Sequence, residues 1–101
     1  MNGKIQIPKA RLQQFCKVRH IRRLSLFGSI LRDDFGPDSD VDVLVEFESN
    51  HVPGFFGLAE MQDELESFLG GRKVDLRTPE DLSRYFRNDV LATAEVQYVH
   101  G

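Results

Sequence analysis

The amino-acid sequence predicts one small α/β or α+β domain, in which short strands and helices alternate along the chain. Two observations support this fold class. The 101 residues are 41% hydrophobic and 29% charged, a balance typical of a folded chain with one core and no room for a second domain. Apolar residues also recur in turn at strand spacing and at helical spacing. We therefore expect residues 1–101 to form a single domain.

The sequence also argues against several classes of protein. No window reaches the roughly 18 consecutive apolar residues of a membrane span, so no membrane contact is expected. Residues 1–10 lack the apolar core and cleavage site of a secretory signal, which predicts a cytoplasmic location. The lone cysteine, Cys16, excludes an internal disulfide and a cysteine-based zinc site, and we expect it to pack in the core.

The first predicted elements are a helix and a strand. Pro8 precedes an amphipathic segment with a basic outer face, and its apolar stripe is Leu12, Phe15 and Cys16. A proline near the start and apolar residues at this spacing predict a helix. Residues 21–27 alternate imperfectly between apolar and polar side chains and predict a strand.

Gly28 and Ser29 end that strand and lead into a short helical turn at residues 30–31. A loop rich in turn residues follows at positions 34–39. Residues 40–47 form the clearest strand, because apolar and polar side chains strictly alternate over most of its length. One face carries Val41, Val43, Val45 and Phe47, and the other carries Asp40, Asp42, Leu44 and Glu46.

A second amphipathic helix is predicted after a loop at residues 49–54, and Gly70 and Gly71 end it. Its apolar positions recur at helical spacing between acidic ones, and they are Leu58, Met61, Leu65, Phe68 and Leu69. We expect the preceding Phe55 and Phe56 to be buried in the core rather than to form a lid or a partner contact.

A short strand at residues 73–77 and a last helical region complete the chain. Thr78, Pro79 and Asp81 match the N-cap, the first residue and the acidic third residue of a helix start. Residues 90–98 either continue as a helix or become extended. The predicted order of elements is therefore α-β-α-β-α-β-α.

Three aspartates lie in places where strands rarely carry charge. Asp40 and Asp42 lie two residues apart on the strongest strand, so their side chains emerge on one face, roughly 6.5 Å apart along the chain. A divalent cation would relieve their repulsion, and carboxylate oxygens suit Mg²⁺ or Mn²⁺. Asp75 occupies a similar position on a second short strand. If the two strands are neighbours, the three carboxylates form a two-metal site for phosphoryl or nucleotidyl transfer.

Groups that bind phosphate precede these aspartates. Gly28 and Ser29, at a strand-to-helix junction, offer a close backbone approach, a hydroxyl and unpaired N–H groups. Arg32, one turn later, carries a guanidinium that is suited to phosphate. Further candidate donors, if they face the same cleft, are Arg23, Arg72 and Lys73.

The sequence resembles the nucleotidyltransferases of the DNA polymerase β superfamily over residues 26–45, LFGSILRDDFGPDSDVDVLV. More narrowly, it is similar to the minimal nucleotidyltransferases, which are chains of about this length. The resemblance implies a palm-like core, in which a short mixed sheet is flanked by helices. It also implies that Gly28, Ser29 and Ser39 bind the nucleotide, and that Arg32 supports the phosphates or the loop.

The same resemblance implies that Asp40 and Asp42 bind both Mg²⁺ ions and that Asp75 is the third carboxylate. The family usually has glycine after the signature arginine, whereas this chain has Asp33. Asp33 and Asp34 are expected to be solvated rather than to act as extra metal ligands. Without a metal, Asp40 would cap a turn and Asp42 would lie at an exposed strand edge.

The resemblance also carries an expectation about function. Family members of this size are frequently antitoxins that transfer AMP from ATP to a tyrosine hydroxyl of a HEPN-domain ribonuclease toxin, with which they form hetero-oligomers. Two alternatives remain open: a binding module that neutralises its partner by occlusion, and a transferase acting on a small molecule or an RNA end. Residues 1–32 hold eight Lys or Arg and no acidic residue, which keeps nucleic acid as a less favoured partner.

Other nucleotide and metal motifs fit the sequence poorly. An EF-hand loop that includes Asp40 fails because its sixth position is Val43 and its twelfth is Ser49. A Walker P-loop fails because no Gly-Lys-Ser or Gly-Lys-Thr follows the first glycine. The histidines are scattered without ligand spacing and are expected at the surface; they are His20, His51 and His100.

Overall fold

A computed structural model of the chain describes residues 7–33 and 35–100. Over those residues, helices α1 to α3 and strands β1 to β4 occur in the order α1 (Lys9–Val18), β1 (Ile21–Phe27), β2 (Val41–Phe47), α2 (Phe55–Phe68), β3 (Val74–Arg77), α3 (Arg87–Thr93) and β4 (Glu95–Val99). Two short 3-10 turns, Gly28–Leu31 and Pro79–Asp81, lie between them. The mixture of helices and strands confirms the predicted fold class.

The four strands form one mixed sheet in the order β3-β2-β1-β4. β1 pairs antiparallel with both β2 and β4, whereas β2 and β3 are parallel. A parallel pair needs a long crossover, and α2 supplies it between β2 and β3. This crossover places the carboxylate-bearing strands next to each other.

The main core lies between one face of the sheet and helices α1 and α2. Val41, Val43 and Val45 of β2 are fully buried there, as predicted, and Phe47 at the end of the strand is partly buried. The rings of Phe15 from α1 and Phe68 from α2 meet edge to face, with centroids 5.6 Å apart. Cys16 is buried beside them, and burial raises the pKa of its thiol to about 12. Its expected role in packing is thus confirmed.

A smaller apolar layer covers the opposite face of the sheet. Leu44 and Ser25 are buried on that side, and Leu82 and Thr78 from the segment after β3 are also buried. The Thr78 N–H donates to the carboxylate of Asp81 at 3.1 Å, and the reciprocal side-chain contact completes the predicted capping box. The box opens a 3-10 turn and not a long helix, since α3 begins only at Arg87.

The predicted order of elements lacks one element, a strand after the last helix, where the extended alternative for the final segment applies. The helix ends at Thr93, and the remaining chain forms β4 on the free edge of β1. Leu24 lies opposite Tyr98 in this pairing. An unpaired edge of β1 would leave backbone N–H and C=O groups without partners, so strand pairing prevails over the helical alternative for the last segment.

The expectation that Phe55 and Phe56 are buried is also wrong. Their side chains are 80% and 81% exposed. α2 packs through Met61, Leu65 and Phe68, which share one helical face, whereas both phenylalanines begin the helix on other faces. Leu58, predicted in the core, is only half-buried and lines a cleft described below.

Asp34 and residues 1–6, on which part of the predicted loop and of the basic segment fall, lie outside the described residues. Over residues 7–33 and 35–100, no helix combines the length and the apolar character needed to cross a bilayer.

Candidate active site

The parallel pairing of β2 and β3 brings two of the predicted carboxylates together. Asp42 of β2 lies directly opposite Asp75 of β3 in the strand register, at the spacing of neighbouring strands, about 4.8 Å. Asp40 lies just before β2 and is exposed. Asp40 and Asp42 are close because they are two residues apart in the chain. The pairing of β2 with β3 then brings Asp75 next to Asp42.

The strand-to-turn junction at Gly28 closes tightly on Asp42. Gly28 has φ +72°, and a Cβ atom at this position would overlap the Oδ2 atom of Asp42. The absence of a side chain lets the Ser29 N–H donate to the same Oδ2 at 3.4 Å. The Ser29 hydroxyl donates to the carbonyl of Asp40 at 3.3 Å. Glycine is therefore required here by both backbone conformation and space.

The carboxyl group of Asp42 is the most strongly perturbed acid of this group. Burial raises its pKa above the usual range, and repulsion from Asp75 and Asp40 adds to the increase. The Ser29 N–H and the guanidinium of Arg32 act in the opposite direction. A cation among these oxygens would remove the penalty on the charged form, so the donor set fits a hard divalent ion such as Mg²⁺.

Asp75 also has a partner that the sequence analysis missed. Arg77 donates Nε–H to Asp75 Oδ1 at 3.1 Å and an Nη2–H to Oδ2 at 3.3 Å. Residues i and i+2 of a strand share a face, so the Asp-x-Arg spacing carried this signal. These two hydrogen bonds, the Arg77 fork, orient the Asp75 carboxylate and place a positive charge at the entrance to the site.

Arg72, predicted as a phosphate donor, instead anchors the loop that leads to Asp40. Its Nη2 donates to the carbonyls of Gly36 and Ser39 at 2.8 and 3.0 Å. Its guanidinium also lies over the ring of Phe35, 4.7 Å from the centroid. The Ser39 hydroxyl accepts the Gly36 N–H at 3.0 Å, so that side chain also takes part in the loop.

The other predicted phosphate donors differ in their surroundings. Arg32 follows the 3-10 turn, and its N–H donates to the Ser29 carbonyl at 2.9 Å. Its effect on the Asp42 pKa places its charge near the carboxylates. Arg23 lies instead 3.7 Å from Glu46 in an ion pair on the sheet.

Two adjoining clefts open over the carboxylates. One, of about 240 Å³, has Asp42 and Asp75 on its floor and the half-exposed Phe86 on its wall. The other, of about 330 Å³, is lined by Asp75, Arg77 and the exposed Phe55. The acidic groups thus face a concave surface with aromatic sides, which suits a planar base or an aromatic acceptor side chain.

Comparison with protein families gives a match over most of the chain. Residues 9–96 match the model of the nucleotidyltransferase domain. Among curated proteins, a Methanocaldococcus jannaschii protein named "putative protein adenylyltransferase" is 39% identical over 62 residues. This match spans 61% of this chain and 61% of the relative, less than two thirds of its length. Protein adenylyltransferase MntA of Thermococcus cleftensis is 39% identical over 79 residues, which span 78% of this chain and 75% of the relative.

Comparison with solved structures also identifies the nucleotidyltransferase fold. A structure described as a "putative minimal nucleotidyltransferase" superposes with a TM-score of 0.69 at 30% identity and covers 85% of each chain. A toxin–antitoxin structure with AMP-PNP superposes with a TM-score of 0.73 at 18% identity, covering 93% of this chain and 75% of that one. The chain therefore belongs to the nucleotidyltransferase domain family and has the fold of its minimal members.

Proposed function

We propose that this nucleotidyltransferase transfers AMP from ATP to a tyrosine hydroxyl of a protein partner, a HEPN-domain ribonuclease toxin, and thereby acts as its antitoxin. One observation carries the proposal: the pairing of Asp42 with Asp75 against the Gly28–Ser29 backbone. Curated relatives named protein adenylyltransferases and the toxin–antitoxin fold neighbours support the choice of acceptor class.

The reaction forms a bond between the acceptor oxygen and the α-phosphorus of ATP. It breaks the bond from that phosphorus to the oxygen that bridges to the β-phosphate, so pyrophosphate leaves. The acceptor hydroxyl loses its proton, and among Asp40, Asp42 and Asp75 the carboxylate best placed to take it is Asp75, which borders both clefts. The Arg77 fork fixes the carboxylate plane of Asp75 for this transfer.

The remaining groups bind ATP. In the proposed site, Asp40, Asp42 and Asp75 would hold two Mg²⁺ ions, or Mn²⁺ in their place, and such ions would neutralise phosphate charge and lower the pKa of the attacking hydroxyl. The Ser29 hydroxyl leaves the Asp40 carbonyl and donates to a phosphate oxygen, since their 3.3 Å contact is long for a hydroxyl donor. Arg32 provides the positive charge for the phosphates.

An open cleft with exposed aromatic walls favours a protein acceptor. Phe55, Phe56 and Tyr85 are each at least 80% exposed, and Phe55 lines a cleft. Large exposed aromatic groups beside a site are typical of surfaces that dock a partner. A partner seated on them would present its tyrosine to the carboxylates.

Labelling with ATP tests this proposal. Protein with an α-labelled phosphate donor and Mg²⁺ is added to a lysate of the source cells, and the Asp40→Asn, Asp42→Asn double variant is run in parallel. A matched double variant, Asp38→Asn, Asp63→Asn, changes the same charge at two exposed positions outside the site. We expect one labelled protein band with the parent and the matched control, and none with the site variant.

Each other outcome selects another function. If the parent labels nothing yet retains a partner on a column, occlusion replaces transfer. A labelled RNA or small molecule overturns the protein acceptor but keeps the enzyme. If a labelled band retains its label after tyrosine phosphodiester cleavage, the acceptor is a different residue and the tyrosine assignment fails.

A further inference from the structure

A second group of potential metal ligands lies away from the carboxylates. His20 follows α1, Glu48 follows β2, and His51 lies in the loop before α2. One ligand atom from each residue can be chosen so that the three lie within 4.8 Å of one another. The rings of His20 and His51 are stacked, with centroids 3.9 Å apart. We call these three residues the histidine cluster.

Backbone hydrogen bonds bring the three segments together. The Glu48 N–H donates to the His20 carbonyl at 2.9 Å, and the His51 N–H donates to the Glu48 carbonyl at 3.1 Å. His20 and Asn50 both have left-handed backbones, with φ values of 59° and 65°. Residues other than glycine seldom adopt this conformation, and here it turns the chain at both histidine-bearing loops. The backbone positions of the cluster are thus fixed by the fold, and both histidine side chains lie at the surface.

Glu48 forms two long ion pairs with histidine side chains. His20 Nδ1 lies 3.8 Å from Glu48 Oε1, and His100 Nε2 lies 3.9 Å from Glu48 Oε2. Both separations exceed hydrogen-bonding distance. Imidazole nitrogens and a carboxylate therefore lie close together without a direct hydrogen bond between His20 and Glu48.

The cluster is independent of the proposed active site. Asp42 lies at the start of β2 and Glu48 just after its end. Seven strand residues separate the two ends by roughly 20 Å. Ligand chemistry separates them as well, because imidazole suits Zn²⁺ and its neighbours among the transition metals, whereas carboxylates alone suit Mg²⁺.

We propose that the histidine cluster binds one divalent transition-metal ion of the Zn²⁺ class through His20, Glu48 and His51. Two imidazoles and one carboxylate form a known zinc donor set, with bonds of about 2.0–2.2 Å. Tetrahedral bonds of that length require donor atoms about 3.3 Å apart. The two histidine side chains are exposed, and rotation out of their present ring stacking would direct their nitrogens towards a common ion. His100 Nε2 lies 3.9 Å from the second oxygen of Glu48, beside the three proposed ligands.

The bound ion would connect the turn after α1 to the loop before α2. It would bind the folded chain and not the unfolded one, so it should raise the melting temperature. At about 100 times the dissociation constant, the rise expected for a domain of this size is roughly 10 °C or more.

Cobalt and zinc titrations of the untagged, full-length protein test the site. Co²⁺ in a four-coordinate site with imidazole ligands has intense visible absorption, and Zn²⁺ should displace it at one ion per chain. Two variants probe the ligands, His51→Ala and Glu48→Gln. Glu46→Gln, at a glutamate two residues away that pairs with arginines, is the matched control. The Asp40→Asn, Asp42→Asn variant reports any contribution of the other site.

We expect both ligand variants to weaken Zn²⁺ binding at least tenfold and to lose the cobalt band. The matched control and the Asp40→Asn, Asp42→Asn variant should bind as the parent does. The proposal is overturned if the parent shows no such band, or if His51→Ala keeps the parent affinity while its circular dichroism shows a folded chain. It is also overturned if the aspartate variant alone loses the zinc.

Discussion

The two ends of β2 differ in the chemistry of their side chains and in the contacts that hold those side chains in place. At its start, Asp42 is half-buried, its oxygen accepts a backbone N–H, and a second carboxylate faces it across the sheet. At its end, the exposed His20 and His51 meet Glu48, with backbone bonds as the main constraint. Hard oxygen ligands held at fixed positions suit transient binding of Mg²⁺ with a nucleotide, whereas adaptable imidazoles suit a resident transition metal. One strand thus carries two proposed sites, which should respond to different ions and to different mutations.

The largest effect should come from Gly28→Ala. The new Cβ overlaps the Asp42 carboxylate, and the positive φ strains any side chain. We expect AMP transfer, measured as kcat/KM, to fall at least about 100-fold, because a displacement of about 1 Å costs that much. Stability should fall by about 1–3 kcal/mol in a urea melt.

Gly54→Ala is the matched control, since a Cβ atom there meets nothing within 4 Å. Cobalt binding at the histidine cluster should survive the Gly28 substitution. Loss of both functions in a chain that circular dichroism shows to be folded would disprove the independence of the two sites.

A smaller effect is expected at Arg72, which holds the loop before the carboxylates. Arg72→Met keeps the apolar stem and removes both hydrogen bonds to the loop carbonyls. We expect roughly tenfold lower kcat/KM, mainly through kcat, and a loss of about 1–3 kcal/mol in unfolding free energy. Arg11→Met is the control, because Arg11 lies over the Phe68 ring at the same 4.7 Å. If both variants behave alike, the ring contact matters and the loop bonds do not.

The carboxylate end was predictable because its information is local. Residues 40 and 42 lie two apart at the start of the predicted strand, and this spacing alone predicts both side chains on one face. Asp75 needed the strand order as well, and the family resemblance supplied it. The structure brings Asp75 next to Asp42 as expected. Nucleotide and metal binding by these residues stays a prediction, as does the single-domain extent of residues 1–101.

The features that the sequence did not predict depend on contacts between residues that are far apart in the chain. His20 and His51 have no ligand spacing, and only the turns after α1 and β2 bring them together. The exposure of Phe55 depends on which face of α2 packs against the sheet. Helical spacing alone does not determine whether a residue of the first turn belongs to that face. The last segment was ambiguous between helix and strand until the free edge of β1 was known.

A modest effect is expected on the acceptor side of the active site. Phe55→Ala should raise the KM for the protein acceptor roughly fivefold, which corresponds to about 1 kcal/mol of lost contact energy, and leave the KM for ATP unchanged. Val52→Ala, at a 70% exposed position of the preceding loop, is the control. An increase confined to the KM for ATP would place the nucleotide base, not the acceptor, against this ring.

The smallest effect concerns the stability of the metal-free protein. Burial, together with Asp75 and Asp40, raises the pKa of Asp42 above its ordinary value of 3.8. A carboxyl group whose pKa is higher in the folded state lowers stability as the pH rises through that range, and the cost is complete above the folded pKa. Asp42→Asn should therefore add up to about 1 kcal/mol to the unfolding free energy at pH 7, a figure limited by partial solvation. The gain should shrink as the pH falls towards 4.

With Mg²⁺ and a nucleotide, the parent should become more stable than Asp42→Asn. The ion stabilises the charged carboxylate of the parent, whereas the amide of the variant is a weaker ligand. The parent should gain more stability from Mg²⁺ and ATP than Asp42→Asn does, whereas Zn²⁺ should stabilise both equally through the histidine cluster. Urea melts at pH 4 and 7, with each ion, separate these effects. An Asn variant that is less stable than the parent in the absence of metal would show that the carboxylate stabilises the fold itself. A gain without metal and a deficit with Mg²⁺ would show instead that Asp42 is retained, at a cost in stability, for the ion that it binds.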